Sequence, residues 1–293
     1  MKRITLKPLT VLTSLLVASG LPIAGLLTPP AYGLTPHTLT LDFKELEQRG
    51  LELAQEAAQL AQFQQYPLAL QRAELATQLV PGDYRMWALV ADIRIRTQET
   101  EAAIDALQIA RSLEPEEATL LFALGSAYFR QQDYDRAIES LQSGLRLEPG
   151  VPGALFDLGN VYYVQKNYTL ALSTYATALE AKEDFWEAIN NIGLVKYEQG
   201  DAAAALDHWQ RALAINAEAV EPQFAVAVAR YAQGDRSAMT QAITALTADS
   251  RYGDVEFLQE QLWGDRLLAD TKVLLAVPQV REAWIQAQEQ QSQ

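Results

Sequence analysis

Two histidines, no cysteine and no glycine-rich phosphate loop leave this chain few ways to make or break covalent bonds. His37 precedes the first periodic segment and His208 stands beside Trp209, so no pair of histidines occurs at the spacing a metal ion needs. Without a thiol, cysteine nucleophiles are excluded, and no serine lies in a motif that supplies a histidine and an acid. Adjacent acids such as Glu116 and Glu117 read as helix caps and solvated turn residues rather than as an acid and base pair. Neither a catalytic residue, a cofactor nor a metal is therefore expected. The remaining chemistry is non-covalent: rings and amides recur at a fixed interval, a mixture that packs on apolar side chains while hydrogen-bonding a partner's backbone.

The interval identifies the elements that must carry those groups. Pro81, Pro115 and Pro149 stand thirty-four residues apart, and the columns Ala69, Ala103, Ala137, Ala171, Ala205 and Ala91, Gly125, Gly159, Gly193, Ala227 keep the same period. Tyr66, Tyr134 and Tyr168 form another column, just after polar pairs such as Gln132-Asp133 and Lys166-Asn167. Within a unit, apolar residues recur at three and four, as in Leu121, Leu124, Ala127 and Tyr128 and again in Ala137, Ile138, Leu141 and Leu145. Each unit thus predicts two amphipathic helices with a polar break between them. Proline lacks an amide hydrogen and clashes with the preceding turn, so the three prolines should end each second helix. The small residues Gly125, Gly159 and Gly193 are expected to face Ala137, Ala171 and Ala205 where the two helices approach. Glu183 and Ala217 stand where the proline column would continue and Met239 replaces the column alanine, which predicts looser turns and a degenerate sixth unit.

The pattern resembles the tetratricopeptide repeat. Leu124-Gly125 with Tyr128, Ala137 and Pro149, and Leu158-Gly159 with Tyr162, Ala171, Tyr175 and Ala178, are its best local matches. The resemblance implies an all-α fold, a right-handed superhelical α-solenoid of tandem helix-turn-helix repeats, here five clear repeats and one degenerate repeat over 49–247. It also implies that the first helix of each unit lines a concave groove. Carried over by register, one inward column reads Ala88, Phe122, Phe156, Asn190 and Phe224, and another Ile95, Phe129, Tyr163, Tyr197 and Tyr231, with Asp92, Ser126 and Asn160 between them. The expected partner-binding residues are Phe122, Phe129, Phe156, Asn160, Tyr163, Asn190, Tyr197, Phe224 and Tyr231. An extended segment or short helix of a protein partner would suit them. Alanine at Phe156 and Tyr163 together should abolish capture with little change in melting temperature. A subgroup of the family grips acidic chaperone tails with Lys, Arg and Asn. The corresponding positions here hold Ala54, Ala58, Thr119, Ala123 and Asn191, which disfavours that ligand.

The ends differ from the array. Lys2, Arg3 and Lys7 precede an uncharged run from Leu9 to Leu27, and Ala31-Tyr32-Gly33 offers small residues to a signal peptidase. Residues 1–33 are expected to be either a cleaved export signal or a retained amino-terminal membrane anchor. Both place the array outside the cytoplasm, in a periplasm or a thylakoid lumen. A lead-in segment, 34–48, follows, with Asp42 as the expected cap of a helix starting near Phe43. From 248 to 293 the period breaks. Val255, Leu258, Leu262, Leu267, Leu268, Leu274 and Leu275 predict one long capping helix begun by Asp254 and ended or kinked by Pro278, followed by a last helical stretch from Gln279 to about Gln288 and a Gln-rich tail. Trp263-Gly264-Asp265-Arg266 resembles carboxyl-terminal extensions of repeat proteins from cyanobacteria and plastids. The formal charge is −14, and loss of Lys2, Arg3 and Lys7 would leave twenty basic against thirty-seven acidic residues, or −17. Phosphate backbones repel so acidic a surface, so nucleic acid is not an expected partner and basic or neutral protein segments are.

Overall fold

The computed structural model describes residues 42 to 291, and every regular element among them is helical. The amino-terminal signal or anchor and most of the lead-in segment lie outside the described residues. Six helix pairs follow one another: α1 (Phe43–Gln62) with α2 (Tyr66–Leu79), α3 (Tyr84–Arg96) with α4 (Thr100–Leu113), α5 (Ala118–Arg130) with α6 (Tyr134–Leu147), α7 (Pro152–Val164) with α8 (Tyr168–Ala181), α9 (Trp186–Glu198) with α10 (Ala202–Ile215), and α11 (Val220–Ala232) with α12 (Ala238–Ala248). A 3₁₀ turn (Ser250–Gly253), α13 (Val255–Glu260), α14 (Asp265–Leu275) and α15 (Pro278–Gln291) complete the chain. Through the six pairs each helix packs on its predecessor, and first helices of neighbouring units also touch, α5 with α7 and α7 with α9. Crowding of the first helices curves the stack, an α-solenoid, with those helices on the inside.

The turn inside each unit is built from the polar pair seen in the sequence. Gln64, Gln98, Gln132, Lys166, Gly200 and Gly234 all take positive φ, between 58° and 95°, at the same thirty-four-residue interval. The residue after each sends its amide back across the helix end, as Asp133 N does to Tyr128 O at 2.9 Å and Asn167 N to Tyr162 O at 2.8 Å. This satisfies the helix's last carbonyls. In the third, fourth and fifth units the same residue then caps the second helix, Asp133 at Arg136 N, Asn167 at Leu170 N and Asp201 at Ala204 N. Between units the chain passes through an extended residue whether or not proline follows. Glu114 and Glu148, before Pro115 and Pro149, and Lys182 and Asn216, before Glu183 and Ala217, have φ from −148° to −124° and ψ from 84° to 95°. The turns lacking proline are therefore no looser. The sixth pair forms as well, although α12 starts two residues late.

Packing corrects one expectation about the small residues. A Cβ on Gly125, Gly159 or Gly193 would first meet the side chain of Leu141, Tyr175 or Trp209, 2.4 to 2.5 Å away; only at Gly125 does the alanine one turn earlier also come close, through the Ala137 carbonyl at 3.3 Å. These glycines open a notch that a large side chain from the second helix fills. The alanines serve separately as fully buried close contacts. Hydrogen bonds repeat with the units too: Gln108 Nε2 donates to Tyr128 Oη and Gln142 Nε2 to Tyr162 Oη, each at 3.0 Å.

The predicted single capping helix is broken in two. Asp254 caps α13 as expected, but Leu262 adopts φ 64°, and the chain turns at Leu262–Gly264 before α14 begins. Pro278 does not end a helix; it starts α15 at its first position, where a missing amide hydrogen costs nothing. The outcome is a strap rather than a rod. α14 returns along the inner surface to pack on α11 and α9, and α15 covers α12.

Candidate functional site: the concave groove

The strap decides which part of the groove is open. Leu267, Leu268, Thr271, Leu274 and Leu275 of α14 are buried, and each such leucine contributes roughly 1.5–3 kcal/mol. The Trp263 ring stacks on Phe224 with centroids 5.7 Å apart, and its Nε1 donates to Glu221 Oε1 at 3.1 Å. Tyr197 donates its hydroxyl to Asp270 at 2.6 Å, while Arg266 lies over the Tyr197 ring. No side chain of the strap caps α14. Glu198 of α9 does so from outside, accepting the amides of Arg266 and Leu267 at 3.1 and 3.0 Å. A carboxylate across the helix amino terminus satisfies donors that would otherwise be unpaired and complements the dipole.

Several expected groove residues are consequently interior. Phe224 is fully buried, Tyr197 is 2% exposed, and Asn190, Asn160 and Tyr163 are buried as well. The two asparagines belong to a polar chain linking four helices. Asn160 Oδ1 accepts from Tyr175 Oη at 2.7 Å and Asn191 Nδ2 at 2.9 Å, Asn191 Oδ1 accepts from Asn190 Nδ2 at 3.1 Å, and Trp209 Nε1 donates to Asn190 O at 3.1 Å. These bonds set helix register, and Asn160 also lines the open cavity described below. Phe122, Phe129, Phe156 and Tyr231 are half-buried. Of these, Phe122 packs over Gly144, Phe156 sits between Tyr175 and Phe185, and Tyr231 lies under Arg236. Phe129, against Tyr134, lines the open groove. Alanine at Phe156 and Tyr163 would thus cut into the core, and the expectation of an unchanged melting temperature does not survive the structure.

What remains open is a cavity of about 1010 Å³ between α5, α7 and the turn that leads into α14. Ser126, Phe129, Arg130, Asp157, Tyr163 and Lys166 form one side, and Gln259 to Asp265 the other. Asp157 and Ser126 are hydrogen-bonded, and burial holds the Asp157 carboxyl above its ordinary range despite that bond and the nearby Arg130. Sequence reasoning passed over Asp157. It stands between Ala123 and Asn191 in a column that was read, and an acid on the apolar side of a first helix was the available signal.

Glu221 was missed too. Burial pushes its carboxyl up to about 7, against the hydrogen bonds from Asn190 and Trp263. A neutral Glu221 has an O–H to offer, and Asn190 Oδ1 is a buried acceptor without a partner. Because the folded pKa lies above the ordinary 4.5, the folded state binds the extra proton between about pH 4.5 and 7, so this group's stabilisation is lost as pH rises through 7. Urea titrations at pH 5.5 and 8 should show wild type losing more stability on alkalinisation than Glu221→Gln, with the difference confined to the carboxyl-terminal units. Equal losses would mean that Glu221 titrates normally.

Among the described residues no group of three or more His, Asp or Glu is placed to hold a metal ion. No helix of those residues is long and apolar enough to cross a membrane. The His208 ring is hydrogen-bonded to the Ala204 carbonyl, at 2.8 Å.

Family models described as tetratricopeptide repeat match residues 89–152, 122–184 and 187–224. No curated protein sequence matches the chain. Among solved structures, MamA is 20% identical over 60% of this chain and 94% of its own, with a TM-score of 0.53. YrrB, described as "a TPR protein with an unusual peptide-binding site", is 19% identical over 66% of this chain and 98% of its own, with a TM-score of 0.52. PilF of Pseudomonas aeruginosa is 15% identical over 75% and 98%, with a TM-score of 0.60. At these identities the likeness is one of fold. Helix pairs at a constant interval, left-handed turn residues in register and the matched family models together support the tetratricopeptide repeat family for residues 89–224.

Proposed function

We propose that this chain is a non-catalytic interaction scaffold that holds a segment of a protein partner in the amino-terminal part of its concave groove. The observation that carries this reading is the open cavity beside Phe129, left when α14 fills the other end. Polar and aromatic groups line it together, as suits an extended backbone. YrrB, of similar fold, is described as having a peptide-binding site, which supports the same use of the fold here. Phe129 is the residue to change, since it lines the cavity and is only half-buried. Phe129→Glu should weaken capture of short peptides more than about tenfold, or 1.4 kcal/mol, while circular dichroism and melting temperature stay close to wild type. Undiminished binding by this variant would remove the groove from consideration.

The same reading extends to the membrane. The basic flank and uncharged run Leu9–Leu27 favour export, with the array either released or tethered as an organiser of membrane complexes. Mass spectrometry of the mature protein decides between the two: a first residue of Leu34 means release, and an intact Lys2 means a tether.

A further inference from the structure

The surface under α14 is built from the same columns as the open groove. Tyr197 continues the column of Phe129 and Tyr163, and Phe224 that of Phe122 and Phe156, at the thirty-four-residue interval. The array offers a helix three things there: apolar surface for Leu267, Leu268, Leu274 and Leu275, the Tyr197 hydroxyl for an acid in its second turn, and the Glu198 carboxylate for its amino-terminal amides. All three come from the array and none from the strap. The resident helix is held on one face only. Its other face, with Ala269, Lys272, Val273 and Ala276, is exposed, Val273 by 61%. The segments on either side have anchors of their own. Leu258 of α13 is fully buried and Phe257 meets Tyr252 with ring centroids 5.2 Å apart, while on α15 Val280 is fully buried and Trp284 donates to Ser250 O at 2.8 Å. Both the 3₁₀ turn and α15 pack on α12. Thus α14 can leave the inner surface in one piece while its neighbours stay docked. Leu262, an apolar residue with φ 64°, stores backbone strain at the hinge that such a movement needs.

We propose that the inner surface of α9 and α11 is a second docking surface, for an amphipathic helix of a protein partner, and that α14 is its resident competitor, displaced in one piece when that helix arrives. The present occupant defines what the partner must carry: leucine pairs seven residues apart, as in Leu267-Leu268 and Leu274-Leu275, an acid between them to accept from Tyr197, and free amides at the amino terminus for Glu198. A strap tethered at both ends competes at high effective concentration, so it sets a threshold that only a well-matched helix passes. This surface is distinct from the cavity beside Phe129 and stands whatever that cavity holds. The two adjoin at Gln259 to Asp265, which line the cavity and lead into the strap.

A labelled peptide of residues 262–277, whose helix fits this surface, is the probe, and fluorescence anisotropy against the full chain is the measurement. Leu267→Ala with Leu274→Ala loosens the resident strap without altering what it sits on, and this chain should bind the peptide at least about tenfold more tightly than wild type does. Adding Phe129→Glu should change nothing. A chemical bridge makes the opposite change with the strap's packing intact. The chain has no cysteine, so a short bismaleimide can join only Lys166→Cys to Asp265→Cys, two exposed positions paired at the strap's edge. The bridged chain should lose the peptide, and the same chain with both thiols capped separately should bind it as wild type does. In wild type, amides of α14 should exchange hydrogen at least about tenfold faster than those of α9 and α11, and the bridge should remove the difference. Equal binding by wild-type and loosened chains, binding abolished by Phe129→Glu, or exchange of α14 no faster than that of α9 and α11 overturns the proposal. A loosened chain that ignores the peptide and elutes as a dimer assigns the surface to a second copy's strap and overturns the partner. Should the loosened chain fail to fold, exchange in the wild type, with and without the bridge, decides.

Discussion

Trp263→Ala will release the strap from the inner surface and lower stability by about 3–5 kcal/mol, the usual cost of emptying a buried tryptophan site. Trp263 is 3% exposed and carries two attachments that alanine cannot supply: the stack on Phe224 and the donor to Glu221. Losing the donor leaves a carboxyl that burial already penalises, so the cavity cost and the polar cost fall at the same place. The ion pair beside it is weaker. Lys166 and Asp265 are both well exposed, and exposed ion pairs contribute about 0–1 kcal/mol. A stack of repeats opens from its ends, so hydrogen exchange should quicken in α13, α14 and α11 while α1 to α6 keep wild-type protection. Proteolysis should then cut first near Leu262, the one strap residue with positive φ. Equal loss of protection along the whole array would show that the strap is not a separate unit of stability, and no loss at all would show that α14 is held by its leucines alone.

Release of the strap would uncover Tyr197 and Phe224, the rings assigned to the groove from register. This explains how the sequence could place a residue on the correct helix face and still misjudge its exposure. A thirty-four-residue period says which face a side chain takes, because that depends on contacts between neighbours in the chain. It contains nothing about a segment that returns from seventy-three residues away, as Asp270 does to Tyr197. The helices, the turn pairs and the cap at Asp42 were legible because local propensity and capping determine them. The break at Leu262 was not. A leucine in left-handed conformation has no compositional mark, and the leucines on either side continue a plausible helical period. Asp157 and Glu221 were hidden for a related reason: an acid within an amphipathic helix reads as solvated until a neighbouring element covers it. Trp263-Gly264-Asp265-Arg266 did carry a signal, since a tryptophan followed by glycine at the edge of an apolar stretch suits an anchor and a turn. Its partners, Glu221 and Glu198, could be known only from the fold.

Trp209→Ala should cost a comparable 3–5 kcal/mol, and its coupling to Gly193 will be more informative than its size. Trp209 is fully buried, donates to Asn190 O, and lies 5.7 Å from the Tyr197 ring, so it ties α10 to the inner surface of α9. Its indole occupies the space above Gly193, where an added Cβ would come within 2.5 Å of Nε1. Gly193→Ala alone meets opposed effects. A better helix former contributes about 1 kcal/mol, and overpacking against a ring that cannot retreat costs about 1–3 kcal/mol. Steric cost wins in the wild-type background because Trp209 is enclosed on every side. Once Trp209 is alanine the obstruction is gone and only the propensity gain remains, so Gly193→Ala should change sign and stabilise the doubly substituted chain relative to Trp209→Ala. Urea denaturation of the four proteins would give a coupling of about 1–3 kcal/mol. Strict additivity would mean that the glycine column exists for some reason other than making room for the second helix's large side chain. The same exchange at Gly153, where nothing lies within 4 Å of the added carbon, is the control and should show no penalty in either background.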